Sequence, residues 1–151
     1  MRERVADINI ENAKIMFRNF SGKNDGYNPG RRNFSVIIED EELALSLRDE
    51  GWNIKEYQPD PEEPAIYRLE VRLNWSYKPP IVWMITESSG KTLLNEDTID
   101  TLDDAEIKNI DLVIRPFPWE MGGRSGIAAY VRTMYVTIAE DVFAAKYRDI
   151  E

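Results

Sequence analysis

The stretch Tyr67-Arg68-Leu69-Glu70-Val71-Arg72-Leu73-Asn74-Trp75 alternates apolar and polar side chains without a break. Successive side chains of an extended chain point to opposite faces, so this pattern predicts a strand over residues 65–75 with one buried and one solvated face. A strand wet on one side needs neighbours at its edges and a core beneath it. The rest of the chain is therefore read for the elements that supply both.

Upstream, Asp60, Pro61, Glu62, Glu63 and Pro64 form an acidic, proline-bearing linker, preceded by a short strand over residues 52–57. Asp40 is placed to cap a helix that runs to about Glu50, with Leu43 and Leu47 at i,i+4 spacing and Gly51 as its stop. Residues 33–38 make a short apolar strand. Before it, the glycine- and asparagine-rich run over residues 21–32 is a loop, and residues 8–20 read as the first strand. Downstream, Tyr77-Lys78-Pro79-Pro80 ends the alternation, residues 81–86 form another strand and residues 88–90 a turn. Asn95 or Asp97 caps a short helix carrying Ile99 and Leu102 and continuing toward Ile107. A strand begins over residues 112–114, and Pro116 and Pro118 confine it to a sheet edge or a bulge. Residues 121–126 make a hairpin loop and residues 127–138 the last long strand. A terminal helix over about residues 140–149 offers Val142, Phe143 and Tyr147 for docking.

Five or six strands with short helices between them, and no βα alternation, predict a mainly β fold. An OB-fold-like Greek-key barrel with a C-terminal helix is the leading solution, and a sandwich is the alternative. The 151 residues suit one domain spanning 1–151, with 42% hydrophobic residues to build a core. Cysteine and histidine are both absent. Disulfides, thiolate nucleophiles and the commonest general base and metal ligand go with them, so no catalytic residue, metal or cofactor is assigned. No apolar run reaches the length of a membrane span, and no apolar stretch follows the charges of Met1-Arg2-Glu3-Arg4, so neither membrane nor export is expected.

The net charge of -9 argues against a polyanionic ligand until its distribution is considered. Residues 1–38, 64–95 and 112–138, read as strands and hairpins, carry +3, +2 and +2; residues 39–63 and 96–111, read as helix and linker, carry -8 and -6. Solvating acids on helices would give the same contrast. The functional reading is a basic sheet face within an acidic shell, steering an anion to one side. Aromatic residues interleave with these bases: Lys14 and Arg18 lead through Phe20 to Tyr27 and to Arg31 and Arg32. Arg72 lies near Tyr77 and Lys78, Arg115 near Trp119, and Arg124 near Tyr130 and Arg132. Cations that follow a backbone and rings that stack on bases are what single-stranded nucleic acid requires. Phe20 apart, these thirteen residues, Lys14 to Arg132, are the candidate contacts. Phe17, Phe34, Tyr67, Trp75 and Trp83 are expected to be buried, and Arg68, Arg72 and Arg132 have cross-strand pairing as a competing role.

Other motifs fail on spacing. Ser89-Gly90-Lys91-Thr92 lacks the earlier glycine of a phosphate-binding loop, since Ile85 stands there. Asp97, Asp100, Asp103 and Asp104 lack the glycine and glutamate of a calcium loop and read instead as the wet face of a helix.

The segments Ala13-Lys14-Ile15-Met16-Phe17-Arg18-Asn19-Phe20 and Arg32-Asn33-Phe34-Ser35-Val36-Ile37-Ile38, with the glycine-rich loop between them, resemble bacteriophage single-stranded DNA-binding proteins. So does Ile110-Asp111-Leu112-Val113-Ile114-Arg115-Pro116, followed by a hairpin and a long final strand. The similarity spreads over most of residues 10–147 as a strand-and-loop pattern. It implies an OB-fold that coats single-stranded DNA during phage replication or recombination in the host cytoplasm, with replication or recombination proteins as further partners. Many members of that family end in an acidic tail, whereas only Asp149-Ile150-Glu151 is tail-like here. Two rivals stand beside this reading. One is an acidic DNA mimic acting on a host nuclease or defence factor through Glu39, Asp40, Glu41 and Glu42; the other is a carboxylate-dependent Mg²⁺ enzyme.

Overall fold

The computed structural model describes residues 5–23, 30–76, 78–87 and 90–139. Along them run β1 (Ile8–Ile10), β2 (Lys14–Asn19), β3 (Arg32–Ile38), α1 (Glu41–Glu50), β4 (Ile54–Tyr57), β5 (Ile66–Leu73), β6 (Ile81–Thr86), β7 (Gly90–Leu94), α2 (Thr101–Asp104), β8 (Ile107–Met121) and β9 (Arg124–Ile138). The expected terminal helix lies outside the described residues.

β5 behaves as its alternation requires. Tyr67, Leu69, Val71 and Leu73 are buried, while Arg68, Glu70 and Arg72 lie half-buried on the other face. One edge pairs antiparallel with β3 along its length; the other meets β4 and then, in parallel, β9 at Val71↔Ala129 and Arg72↔Tyr130. The main path of the sheet runs β1-β8-β9-β5-β3-β2. Its two ends are consecutive in the chain. β1 pairs with β8 and β2 with β3, and the intervening bend is tied down where the Ala13 amide donates to the Ile110 carbonyl at 2.7 Å. The path therefore curls back on itself as an OB-like Greek-key barrel, with the bent β1–β2 pair occupying one of its five strand positions. β4, β6 and β7 are additions, and β6 extends the sheet by pairing in parallel with β9.

The core is the inner face of this ring: Phe20, Phe34, Val36, Leu69, Ile110, Leu112, Ile114, Val131 and Met134 are all at most 2% exposed. Helix α1 covers one side of it. Asp40 Oδ1 accepts from the amides of Glu42 (3.0 Å) and Leu43 (3.4 Å), a cap that contributes about 1 kcal/mol. The helix stops at Gly51, whose φ of 114° is left-handed and whose amide returns to the Arg48 carbonyl. Its buried stripe is Ala44 and Leu47; Leu43, expected there, is 41% exposed, because each residue turns the side chain by about 100° and Leu43 points past the seam.

Two further expectations change. The strand read from residue 112 begins at Ile107 and runs fifteen residues, replacing the continuation of the preceding helix. Pro116 and Pro118 fall within it, beyond Ile114, where pairing with β1 ends, so the missing N–H groups cost nothing on an open edge. The β8–β9 hairpin turns through Gly122 and Gly123, both with positive φ (57° and 79°), as a tight two-residue turn needs. Finally β7 was unforeseen. Among the described residues no helix is long and apolar enough to cross a membrane.

Candidate nucleic-acid interface

The strand register carries a transverse row over the outer face of the barrel. Arg115 on β8 stands opposite Tyr130 on β9, Tyr130 opposite Arg72 on β5, Arg72 opposite Asn33 on β3, and Asn33 opposite Asn19 on β2. Facing residues in a sheet share a side, so five strands contribute one polar and aromatic band above the apolar ring. Arg115 is 7% exposed, and its guanidinium lies 5.6 Å from the Tyr130 ring centroid. Tyr130 in turn meets Phe117 edge-on at 5.7 Å. Trp119 stands opposite Gly126, and its indole fits there because glycine has no Cβ: one would sit 2.9 Å from Trp119 Cζ2.

Two clefts open along this band. The larger, about 560 Å³, holds Arg72, Phe117, Trp119, Gly126 and Tyr130. The other, about 310 Å³, holds Arg31, Arg32, Arg72, Trp75 and Tyr130. Arg72 and Tyr130 border both, which joins the clefts into one path. Among the described residues three carboxylates also line the path, Glu70 and Glu120 in the larger cleft and Glu96 in the other. Glu70 lies 3.4 Å from Arg72 and accepts from Asn33 Nδ2 at 2.7 Å, so it is already engaged. Arg32 is held by the Glu96 carboxylate (3.4 Å) and carbonyl (3.3 Å), with its guanidinium 5.8 Å from the Trp75 ring centroid. Its buried Nε finds no acceptor among the described residues. A charged donor buried without an acceptor is costly.

The base of the loop leading to Arg31 is clamped from α2. Arg18 Nη1 donates to the carbonyls of Leu102 (3.0 Å) and Ala105 (2.6 Å), while Asp103 accepts from the amides of Phe20 (2.8 Å) and Ser21 (2.9 Å). Asp103 is thus half-buried and structural, not part of a wet helix face, because two chain amides leaving β2 need an acceptor. Asn19 Nδ2 adds a bond to the Arg31 carbonyl at 3.2 Å.

The candidate contacts therefore divide. Arg31, Arg32, Arg72, Trp119 and Tyr130 come together along the clefts, and Arg115 sits beneath Tyr130. Arg124 is exposed at the hairpin tip, and Lys78 is exposed in the connection after β5. Arg18 is committed to α2, and Arg132 pairs with Asp7 at 2.7 Å. Lys14 pairs with Glu39 at 2.8 Å, and that carboxylate raises the Lys14 pKa above its ordinary value. Tyr27 and Tyr77 lie outside the described residues. Phe117 and Trp75 line the clefts though neither was among the candidates. Trp75 falls two residues past the end of β5, where alternation no longer reports the face, so it is half-buried rather than core. Trp83, also expected in the core, is half-buried with Lys91 Nζ 4.4 Å from its ring centroid. Phe17 departs furthest: it is 63% exposed.

An OB-like barrel whose outer face carries guanidinium groups and rings between two loops is the architecture of an oligonucleotide-binding module. The chain matches the family described as a putative phage ssDNA-binding domain over residues 1–151, and it belongs to that family. No curated protein sequence matches it significantly. Among solved structures it is similar to the single-stranded DNA-binding protein of bacteriophage Enc34. The C-terminally truncated form has TM-score 0.52 at 16% identity, covering 89% of this chain and 87% of that one. The form in complex with ssDNA has TM-score 0.52 at 15% identity, covering 89% and 88%. At such identities the likeness is one of fold.

Proposed function

We propose that this protein binds single-stranded DNA with little sequence preference and coats it during phage DNA replication or recombination in the host cytoplasm, without performing chemistry on it. The observation that carries this is the joined pair of clefts, which between them bring Arg31, Arg32 and Arg72 together with Trp75, Tyr130 and Trp119. Guanidinium groups take up phosphates and rings stack on any base, so affinity comes without base-edge readout. Arg124 and Lys78 extend the cationic surface at either end, with Tyr27 and Tyr77 as further stacking candidates. Three of the four acids that a DNA mimic would present are engaged within the fold. Glu39 pairs with Lys14, Asp40 caps α1, and Glu41 accepts from the Tyr67 hydroxyl at 3.1 Å.

Titration of intrinsic tryptophan fluorescence with poly-dT tests the proposal. Quenching that weakens between two salt concentrations, with duplex binding far less, is the expected result. Absence of quenching and of any salt-dependent binding would remove it.

A further inference from the structure

Phe17 is the anomaly of the outer face. The pairing of β2 with β3 slips between Met16 and Asn19, and within that bulge Phe17 takes a φ of 55°. A bulky side chain in the left-handed region costs energy, and a bulge serves to re-aim a side chain. Here it turns a large ring outward to 63% exposure, where the hydrophobic effect opposes it as well. Neither cost is recovered inside the barrel.

The surroundings say what the ring is aimed at. The Arg68 guanidinium lies 5.1 Å from the Phe17 ring centroid and is steadied by its bond to Ser35 Oγ at 3.0 Å. Beside it is a cleft of about 630 Å³ lined by Met16, Phe17, Lys55, Tyr57, Ile66 and Arg68. Tyr57 is 56% exposed. The register sets Lys14 opposite Ile37, Ile37 opposite Arg68, and Arg68 opposite Lys55, so three cations lie in one row across four strands, of which Lys14 is paired with Glu39 and Arg68 and Lys55 face the cleft. The Glu56 carboxylate in the same cleft is 3.3 Å from the Tyr67 hydroxyl. Arg68 shares the outer face of β5 with Arg72, four residues or about 13 Å along the strand, so this cleft continues the path of the first two.

We infer that Phe17, Tyr57, Arg68 and Lys55 form a second stacking subsite, which takes nucleobases and phosphates of the same DNA strand after it leaves the Arg72–Tyr130 clefts. This rests on the single-strand reading given above. The occupant is fixed by complementarity: outward rings offer π-faces to unpaired bases, and the row of cations offers charge to the connecting phosphates.

Binding of oligo-dT of graded length to wild type, Phe17→Ala and Phe17→Tyr, with urea unfolding of each, tests the subsite. Short oligonucleotides should bind all three alike. Above the length that reaches the second cleft, Phe17→Ala should lose at least about five-fold in affinity and Phe17→Tyr should retain it. Photocross-linking of a long oligonucleotide carrying 5-iodouracil to the wild-type protein should mark Phe17 or Tyr57, independently of how any variant folds. Equal affinity of Phe17→Ala and wild type at every length, or cross-links confined to residues 115–130, would overturn the subsite while leaving the main clefts intact. Failure of wild type to bind any oligonucleotide would overturn the single-strand reading, and the subsite with it.

Discussion

Replacing Arg72 with alanine removes a guanidinium that borders both main clefts and sits at the centre of the transverse row. The change is gentle on the fold. Its partner Glu70 is 3.4 Å away on the solvated face of β5, and such a pair contributes at most about 1 kcal/mol. The effect on binding follows from counterion release, in which each phosphate contact on a single strand contributes about 0.7 to the slope of log affinity against log salt. For an oligonucleotide short enough to fill only the main clefts, with Arg31, Arg32 and Arg72 each holding a phosphate, the slope is about 2, and affinity falls about 18-fold between roughly 50 and 200 mM salt. Without Arg72 the slope drops to about 1.4 and the same change in salt costs about 7-fold. Fluorescence titration with oligo-dT at several salt concentrations measures both slopes, and urea unfolding confirms that the variant is folded. A variant with the wild-type slope would show that Arg72 meets no phosphate and that the path does not cross β5.

Three other substitutions separate roles. Arg18→Ala should lower stability by about 2 kcal/mol in urea unfolding, since the carbonyls of Leu102 and Ala105 lose a charged donor, yet leave the salt slope unchanged; a reduced slope would return Arg18 to the binding surface. In Gly126→Ala the new Cβ meets Trp119 Cζ2 at 2.9 Å, so the indole must move by roughly half an ångström. Oligo-dT should then quench fluorescence less and bind several-fold more weakly, and unchanged quenching would exclude Trp119 as a platform. Burial, and then the carboxylates of Glu41 and Glu56, raise the Tyr67 phenol above its ordinary pKa of 10.0. The stability this gives is complete below the unfolded value and is lost as pH rises through the folded one. Wild type should therefore lose stability above about pH 10 by urea unfolding, and Tyr67→Phe should lose less over the same interval; parallel profiles would refute the assignment.

Much of the fold is written in local pattern. The alternation from Tyr67 to Leu73 names the inner and outer residues of β5, and Asp40 and Gly51 bracket α1 because capping needs only neighbouring atoms. Elements that escaped are those whose stability is not local. β7 reads Gly90-Lys91-Thr92-Leu93-Leu94, mostly exposed, and is a strand because β6 offers it an edge. The first part of β8 carries Lys108, Asn109 and Asp111, and is extended because β9 runs beside it. Alternation also misleads where register slips: it predicts a buried Phe17, and the bulge between Met16 and Asn19 turns that ring outward.

The sequence by itself determined the β-rich class, the helix and its ends, the absence of cysteine and histidine chemistry, and a set of cations among rings. Only the tertiary structure decided which of those cations line the clefts and which are tied up elsewhere. Arg18 is spent on a carbonyl 84 residues away, and Arg32 is held by Glu96 64 residues away yet keeps its Nε without an acceptor among the described residues. The reason is physical: a side chain's face follows from its own strand's period. Its electrostatic partner is set by strands brought together across the barrel, and that pairing leaves no trace in the residues next to it.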